Sequence, residues 1–254
     1  MARGRADTSP VARERADLAL VARGLFPSRA KAAEAIAAGL VRVDGRRIAK
    51  ASELIAPAAT VEAEAPYPWV GRGGVKLAAA LDAFGFEPSG QACLDVGAST
   101  GGFCDVLLAR GGASVTAVDV GTGQLHPRIA ADPRVTALEK TDARALTPVM
   151  LPAAPGLIVA DVSFISLTLV LPHVLSLAAP AARLVALVKP QFEVGPQRVH
   201  KGIVRDATAR EDACARVAAL VEGLGWRVLG LIPSPIEGGD GATEFLLGAA
   251  RVDA

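Results

Sequence analysis

Apolar positions recur along this 254-residue chain in two rhythms, helical and strand-like, and their order divides it into a short first part and a long second part. In the first part Leu18, Val21 and Ala22 fall on one face of a helix that starts at Arg15 and is stopped by Gly24. Ser28 is placed to cap a second helix, Arg29 to Ala38, closed by Gly39. Val41-Arg42-Val43 then alternates as a strand, Asp44-Gly45 makes a hairpin turn, Arg46-Arg47-Ile48 returns, and Thr60 to Glu64 adds a last strand. Pro66 and Pro68 bias their predecessors away from helix, so residues 65–71 read as a linker between domains at 1–64 and 72–254.

The second part alternates between strands and helices. A helix from Val75 to Phe84 carries Leu77, Leu81 and Phe84 on one face. An apolar strand ends at Asp95, and helical spacing returns at Val106, Leu107 and Leu108. The pattern then predicts strand 114–120, a polar helix 123–131, strands 135–140 and 157–161, a helix near 167–178 kinked by Pro172, and strand 183–189. Helix 208–222 opens on a capping box, Thr208-x-x-Glu211, and carries Val217, Leu220, Val221 and Leu224 as its core stripe. Strands 226–232 and 243–249 close the chain. Such alternation means an α/β protein with a mostly parallel sheet covered on both faces. Two final strands with no helix between them imply an antiparallel last strand, as in Rossmann-like methyltransferase sheets.

Composition narrows the picture. Half of the residues are hydrophobic, but Pro172, Pro180 and Arg183 interrupt the longest apolar runs, short of the roughly 20 residues a bilayer span requires. The basic start, Met1 to Arg5, is followed by no apolar segment of the signal-peptide kind. Cys93, Cys104 and Cys214 have no metal-type spacing and read as reduced, mostly buried thiols of a cytoplasmic protein. A net charge of +1 hides an asymmetry: residues 1–53 hold 11 Lys/Arg against 6 Asp/Glu, a balance of +5, and the remainder balances at −4. A basic module on a near-neutral body suggests a polyanionic partner, with solvated surface arginine as the alternative.

The candidate chemistry begins at Asp95-Val96-Gly97-Ala98-Ser99-Thr100-Gly101-Gly102-Phe103, a strand end, a small-sided turn and a helix start. Bare backbone at such a turn can touch a ligand, and helix-terminal N–H groups can point at it. Asp119 ends the next strand, 24 positions on, close to where dinucleotide folds place the acid that binds ribose hydroxyls. The spacing Gly97-x-x-x-Gly101-Gly102 is neither the dinucleotide fingerprint nor a phosphate loop, since no lysine follows the glycines. A cofactor with an adenosine, a small zwitterion and no phosphate fits it, which means S-adenosylmethionine; a tight turn with no ligand remains the alternative. The contacts expected are the backbone from Gly97 to Phe103, Asp95 beneath it, Asp119 and Val120 at the ribose, and Asp142 with Ala143 near the adenine. Asp95, Asp119, Asp142, Asp161 and Lys189 all fall at strand ends, where open α/β sheets gather active groups. That recurrence favours an enzyme over a plain binding module.

The first part resembles the RNA-binding domain shared by small-subunit ribosomal protein S-four, pseudouridine synthases and tyrosyl-tRNA synthetases. Ser28-Arg29-x-x-Ala32 and Gly39-x-Val41-Arg42-Val43-Asp44-Gly45 carry the likeness. The resemblance implies Arg29, Lys31, Arg42, Arg46 and Arg47 as phosphate contacts.

In the second part, Asp161-Val162-Ser163-Phe164 lacks the prolines of amine methyltransferases, and no cysteine stands at a strand end to serve as the nucleophile of carbon-5 pyrimidine methylation. What remains is charged: Lys76, Asp161, Lys189 and, on the last strand, Glu244. These resemble the Lys-Asp-Lys-Glu tetrad of FtsJ-type ribose 2′-O-methyltransferases. Nearly the whole chain, both domains in order, resembles the TlyA (haemolysin A) family of rRNA 2′-O-methyltransferases. Arg72-Gly73-Gly74-x-Lys76-Leu77, Leu94 to Phe103, Asp119-Val120-Gly121-x-Gly123-Gln124-Leu125, Asp161 to Ser166 and Lys189-Pro190-Gln191-Phe192-Glu193 carry that likeness. It implies transfer of a methyl group from S-adenosylmethionine to a ribose hydroxyl, with cytidine in ribosomal RNA or a ribosomal subunit as target. Lys189 is then the preferred proton acceptor or alkoxide stabiliser. Lys76, near a helix N-terminus and other cations, is expected to lose its proton more readily than usual. Asp161 and Glu244 would orient the lysines and the hydroxyl. The end of the chain at Ala254, soon after the last strand, leans toward large-subunit RNA alone. No metal, membrane or protein partner is implied. A non-catalytic RNA-binding or ribosome-assembly factor and a membrane-active haemolysin are the competing readings.

Overall fold

In the computed structural model, which describes residues 13–238 and 241–252, the chain forms two units, Met1–Pro68 and Trp69–Ala254. The reading of the basic start, Met1 to Arg5, lies outside the described residues.

The first unit runs β1 (Glu14–Arg15), α1 (Ala16–Ala22), α2 (Arg29–Ala37), β2 (Val41–Val43), β3 (Arg46–Arg47), β4 (Leu54–Ile55) and β5 (Val61–Ala63). β2 pairs antiparallel with β3 and β5, and Leu20, Phe26, Ile36, Val41 and Ile48 fill the core beneath. Ser28 caps α2 as its sequence predicts, accepting from the Lys31 N–H at 3.3 Å. The buried face of α1 differs from the expected one. Ala16, Ala19 and Leu20 point inward, whereas Leu18 and Ala22 are exposed. Alanines at 16 and 19 meet Ala32 and Ala35 of α2, and small side chains let two helices approach where Leu18 would hold them apart. Asp17 lies on the same inner side and pairs with Arg15 at 2.9 Å and Arg29 at 3.0 Å, which holds its carboxyl well below the usual range.

The second unit runs α3 (Gly73–Phe84), β6 (Ala92–Val96), α4 (Gly102–Ala109), β7 (Ser114–Val118), α5 (Pro127–Ala130), β8 (Val135–Leu138), β9 (Leu157–Ala160), α6 (Leu167–Ser176), β10 (Arg183–Val188), α7 (Pro190–Glu193), α8 (Ala207–Gly223), β11 (Trp226–Pro233) and β12 (Phe245–Arg251). Its seven strands are ordered β11-β12-β10-β9-β6-β7-β8. β12 lies antiparallel between β10 and β11, and the β6, β7, β8, β9 and β10 pairings are parallel. One face is covered by α3 and α4 through Leu77, Leu81, Val106 and Leu107, the other by α6 and α8 through Leu171, Val174, Val217 and Val221. The near-continuous Val/Leu/Ile/Ala composition of the central strands follows from burial on both sides.

Two elements differ from their expected form. The stretch 123–131 is helical only over Pro127–Ala130. The Gly121 N–H donates to Asp119 and the Gly123 N–H to Glu139, both at 2.7 Å, so these amides are held by acids outside any helix. Helix α8 is capped by Asp206, which accepts from the Thr208 N–H at 3.1 Å. The Thr208–Glu211 box is therefore not the start, because Thr208 already lies inside the helix. Among the described residues no helix is long and apolar enough to cross a membrane.

Candidate active site

The site lies where strands run out. Asp95 is on β6, Asp119 follows β7, Asp161 follows β9 and Lys189 follows β10. Glu244 stands one residue before β12 rather than on it, and the Val188–Phe245 pairing sets it opposite Lys189. Lys76 arrives from the first turns of α3, which the glycine turn holds close: a Cβ on Gly102 would lie 3.1 Å from the Gly74 nitrogen and 3.2 Å from the Gly71 oxygen. Gly97, at φ +85°, packs on the main chain of Asp161, whose carbonyl oxygen would be 2.3 Å from an added Cβ. Only glycine satisfies both the angle and the approach. The turn is thus locked at once against the segments that bear Lys76 and Asp161.

The N–H groups that precede α4 are largely used within the fold. Those of Gly97 and Ala98 donate to the Val118 carbonyl at 2.8 and 3.1 Å, that of Gly101 to Ala98 at 2.7 Å, and that of Ser99 to Asp119 Oδ2 at 2.8 Å. Asp119 therefore braces the turn.

Three cavities adjoin at these strand ends. The largest, about 590 Å³, is walled by Gly97, Ser99, Asp119, Val120, Asp142 and Ala143 among others. Asp161 and Arg144 also border it, so its charged lining is three carboxylates and one guanidinium, a balance of −2. Arg144 is itself paired with Asp142 at 2.6 Å, which holds the Asp142 carboxyl at about 2. Such a lining suits a neutral or cationic ligand and is hostile to a polyphosphate. The second cavity, about 320 Å³, brings together Ala98, Thr100, Gly102 and Phe103 with all four of Lys76, Asp161, Lys189 and Glu244. The third, about 300 Å³, opens from Lys189 and Glu244 past Ser163, Phe164 and Phe192. Asp95 and Gly101 line none of the three: Asp95 is fully buried beneath the turn, and Gly101 packs on Leu125 and Ile129.

The four charged side chains form two pairs. Lys76 Nζ donates to Glu244 Oε2, with side chains only 6% and 3% exposed. Lys189 Nζ stands 2.6 Å from Asp161 Oδ1 and donates to Ser163 Oγ at 2.8 Å. Asp161 Oδ1 lacks an aligned hydrogen bond, so its attraction to Lys189 is electrostatic. Ser163 belongs to a motif the sequence singled out, but its contact with Lys189 was not foreseen; a hydroxyl two residues beyond a strand-end acid is the signal. Phe164 is 92% exposed, adopts φ +65° and stacks obliquely on Phe192 with ring centroids 5.3 Å apart. An unburied phenylalanine in a left-handed conformation is costly and belongs to functional sites more than to scaffolds.

Beneath the turn, Asp95 Oδ2 accepts from Cys104 Sγ at 3.0 Å, and Oδ1 has no hydrogen-bond partner. Burial pushes its carboxyl up to about 7. Cys93, Cys104 and Cys214 are buried free thiols, and desolvation raises all three, Cys93 to about 12. Among the described residues no three His, Cys, Asp or Glu side chains are grouped to hold a metal ion.

The expected RNA contacts of the first unit fall into two sets. Arg42 and Arg47 are exposed, and among the described residues no carboxylate pairs with either. Arg46 is bound to Glu53 at 2.8 Å, Arg29 to Asp17, and Lys31 lies over the Tyr67 ring, 3.9 Å from its centroid. Desolvation lowers the Lys31 ammonium below its ordinary value.

Residues 69–251 match the FtsJ-like methyltransferase family, and residues 14–61 match the S4 domain. The chain is 47% identical over 238 residues to the 16S/23S rRNA (cytidine-2′-O)-methyltransferase TlyA of Mycobacterium tuberculosis, covering 92% of this chain and 89% of that protein. It is 36% identical to hemolysin A of Brachyspira hyodysenteriae, covering 88% and 94%. A solved structure of a hemolysin-like protein from Streptococcus thermophilus superposes with a TM-score of 0.76 at 39% identity, covering 96% of this chain and 90% of that one. With an S4 domain followed by an FtsJ-like methyltransferase domain, the chain belongs to the TlyA/hemolysin A family.

Proposed function

We propose that this chain transfers a methyl group from S-adenosylmethionine to a ribose 2′-hydroxyl of ribosomal RNA, with cytidine as the nucleoside and the cytoplasm as the place. One observation carries the reading: two lysine–carboxylate pairs meet in one cavity, directly beside a larger cavity lined with acids and apolar side chains. The name of the Mycobacterium tuberculosis relative supports the substrate.

Gly97 to Phe103, Asp119, Val120, Asp142 and Ala143 hold the cofactor, and Asp95 with Gly101 shapes the turn from beneath. When bound, S-adenosylmethionine supplies a methyl group already activated by its sulfonium. A ribose hydroxyl is a weak nucleophile at neutral pH, so the residues' task is to fix its oxygen and relieve it of a proton. Lys189 Nζ, reacting as the neutral amine, takes that proton and becomes the ammonium that pairs with Asp161, with Ser163 on its other side. Lys76 and Glu244, shut away from solvent, orient the hydroxyl with a polarised pair that needs no rearrangement during the reaction. The target base enters the third cavity against Phe164, since aromatic faces hold unstacked bases. Arg42 and Arg47 contact RNA phosphates, with Arg29, Lys31 and Arg46 as further contacts that must first loosen their present partners.

Lys189→Ala should lose methyl transfer by at least roughly a hundredfold while binding S-adenosylmethionine within about twofold of the parent. Activity retained in that variant removes Lys189 from the mechanism. Salt-sensitive RNA affinity without methylation of any rRNA by the parent chain would favour an assembly factor instead.

A further inference from the structure

Parallel pairing of β9 with β10 ends at Ala160 and Ala186, so Asp161 and Lys189 lie beyond the ladder that aligns their strands. The Asp161 N–H donates to the Val96 carbonyl of β6 at 2.9 Å and Val188 pairs with Phe245 of β12, but neither joins the two segments directly, and their 2.6 Å approach calls for a direct link. The structure assigns that task to Glu193, as a positioning residue for Lys189, an inference that rests on the methyl-transfer reading above.

Glu193 ends α7, the single turn that Lys189 begins, and is 6% exposed. It borders none of the three cavities, so it touches neither the proposed cofactor nor the proposed substrate. Its Oε1 accepts from the Leu167 N–H at 2.8 Å, and its Oε2 accepts from the Ser166 hydroxyl. Ser166 is the cap of α6, so the carboxylate sits on a helix N-terminus six residues after Asp161. The Glu193 carbonyl in turn accepts from Arg216 of α8 at 2.6 Å. One side chain thus fastens the segment bearing Lys189 to the segment bearing Asp161, past the last ladder bond. The Phe164–Phe192 pair spans the same two segments. A carboxylate buried with two donors, away from the chemistry yet joined to both sides of it, is costly to retain unless its geometry matters.

Glu193→Gln can keep the clamp, since its amide oxygen accepts from Leu167 and its amide nitrogen can donate to the Ser166 hydroxyl. Glu193→Ala cannot. In the full chain, Glu193→Ala should lower kcat for rRNA methylation by roughly ten- to a hundredfold, as small misplacements of a reacting group do, with cofactor Kd and RNA KM within about twofold. Glu193→Gln should stay within about threefold in kcat. Crystals of Glu193→Ala should show Lys189 withdrawn from Asp161, a readout independent of activity. If Glu193→Ala fails to fold, Ser166→Ala removes one donor and should lower kcat by about two- to fivefold at unchanged cofactor Kd. The inference is overturned if Glu193→Ala, or failing it Ser166→Ala, keeps parental kcat, if Gln behaves as Ala does, or if the Lys189–Asp161 pair is undisturbed in the Ala crystal. An inactive parent chain would instead sink the methyl-transfer reading and leave the crystallographic arm to decide the clamp.

Discussion

Lys76 and Glu244 stand 168 positions apart in sequence, yet their side chains meet as an ion pair that is 94% or more shielded from water. Desolvating two charges costs several kcal/mol, which an apolar pair of similar size avoids. The pair is therefore better explained by chemistry than by stability. Lys76→Ala alone should destabilise the fold by about 3–5 kcal/mol, because it strands a buried carboxylate. Lys76→Met with Glu244→Leu should recover most of that loss and remain inactive. Urea unfolding of the parent chain and the two variants checks the order.

Gly238 guards the same carboxylate from the opposite side. A Cβ there would lie 2.2 Å from Glu244 Oε1, and a 3% exposed side chain has nowhere to retreat. Gly238→Ala should cut kcat by roughly tenfold with cofactor affinity unchanged. Steady-state kinetics beside calorimetric binding separate the two.

Asp95 gives the fold an unusual pH response. Its folded carboxyl is raised by burial to about 7 from an ordinary 3.8, so stability present below about pH 4 is lost as pH rises through 7. At about 1.4 kcal/mol per unit the loss is at most roughly 4 kcal/mol. Asp132 and Asp142, held near 2, act in the opposite sense but below this window. Ligand-free protein should therefore melt at lower temperature at pH 8 than at pH 5, and Asp95→Asn should flatten that slope. Thermal unfolding across pH tests it.

Of the five expected RNA contacts, Arg42 and Arg47 are exposed and have no carboxylate partner among the described residues. Replacing either with alanine should reduce the salt slope of rRNA binding by about one without altering cofactor affinity. Arg29→Ala should act differently, lowering stability through the loss of one of Asp17's two partners. Binding titrations at several salt concentrations distinguish the two behaviours.

Much of this architecture was legible in the sequence for physical reasons. Strands buried on both faces leave apolar runs, and glycines mark the turns, so the sheet and the antiparallel last strand could be anticipated; the grouping of Lys76, Asp161, Lys189 and Glu244 was implied by the resemblance to the FtsJ-type tetrad. The inner face of α1 could not, because alanine reads as neutral while Leu18 reads as core, and close helix packing reverses the preference. The β1–β4 pair is two residues long and carried no pattern to find. The helix expected at 123–131 was undone by Asp119 and Glu139 capturing glycine amides, a contact visible only in three dimensions. Glu193, though part of a motif that carried the likeness, and Gly238 meet neighbours far along the chain, contacts visible only in three dimensions.

The most direct measurement is digestion of rRNA to nucleosides after incubation with the purified chain and isotopically labelled S-adenosylmethionine, followed by mass spectrometry. The account predicts label on the sugar of cytidine, as 2′-O-methylcytidine, and none with Lys189→Ala. Label on a base, or no label in any rRNA while the parent chain binds the cofactor, would contradict it.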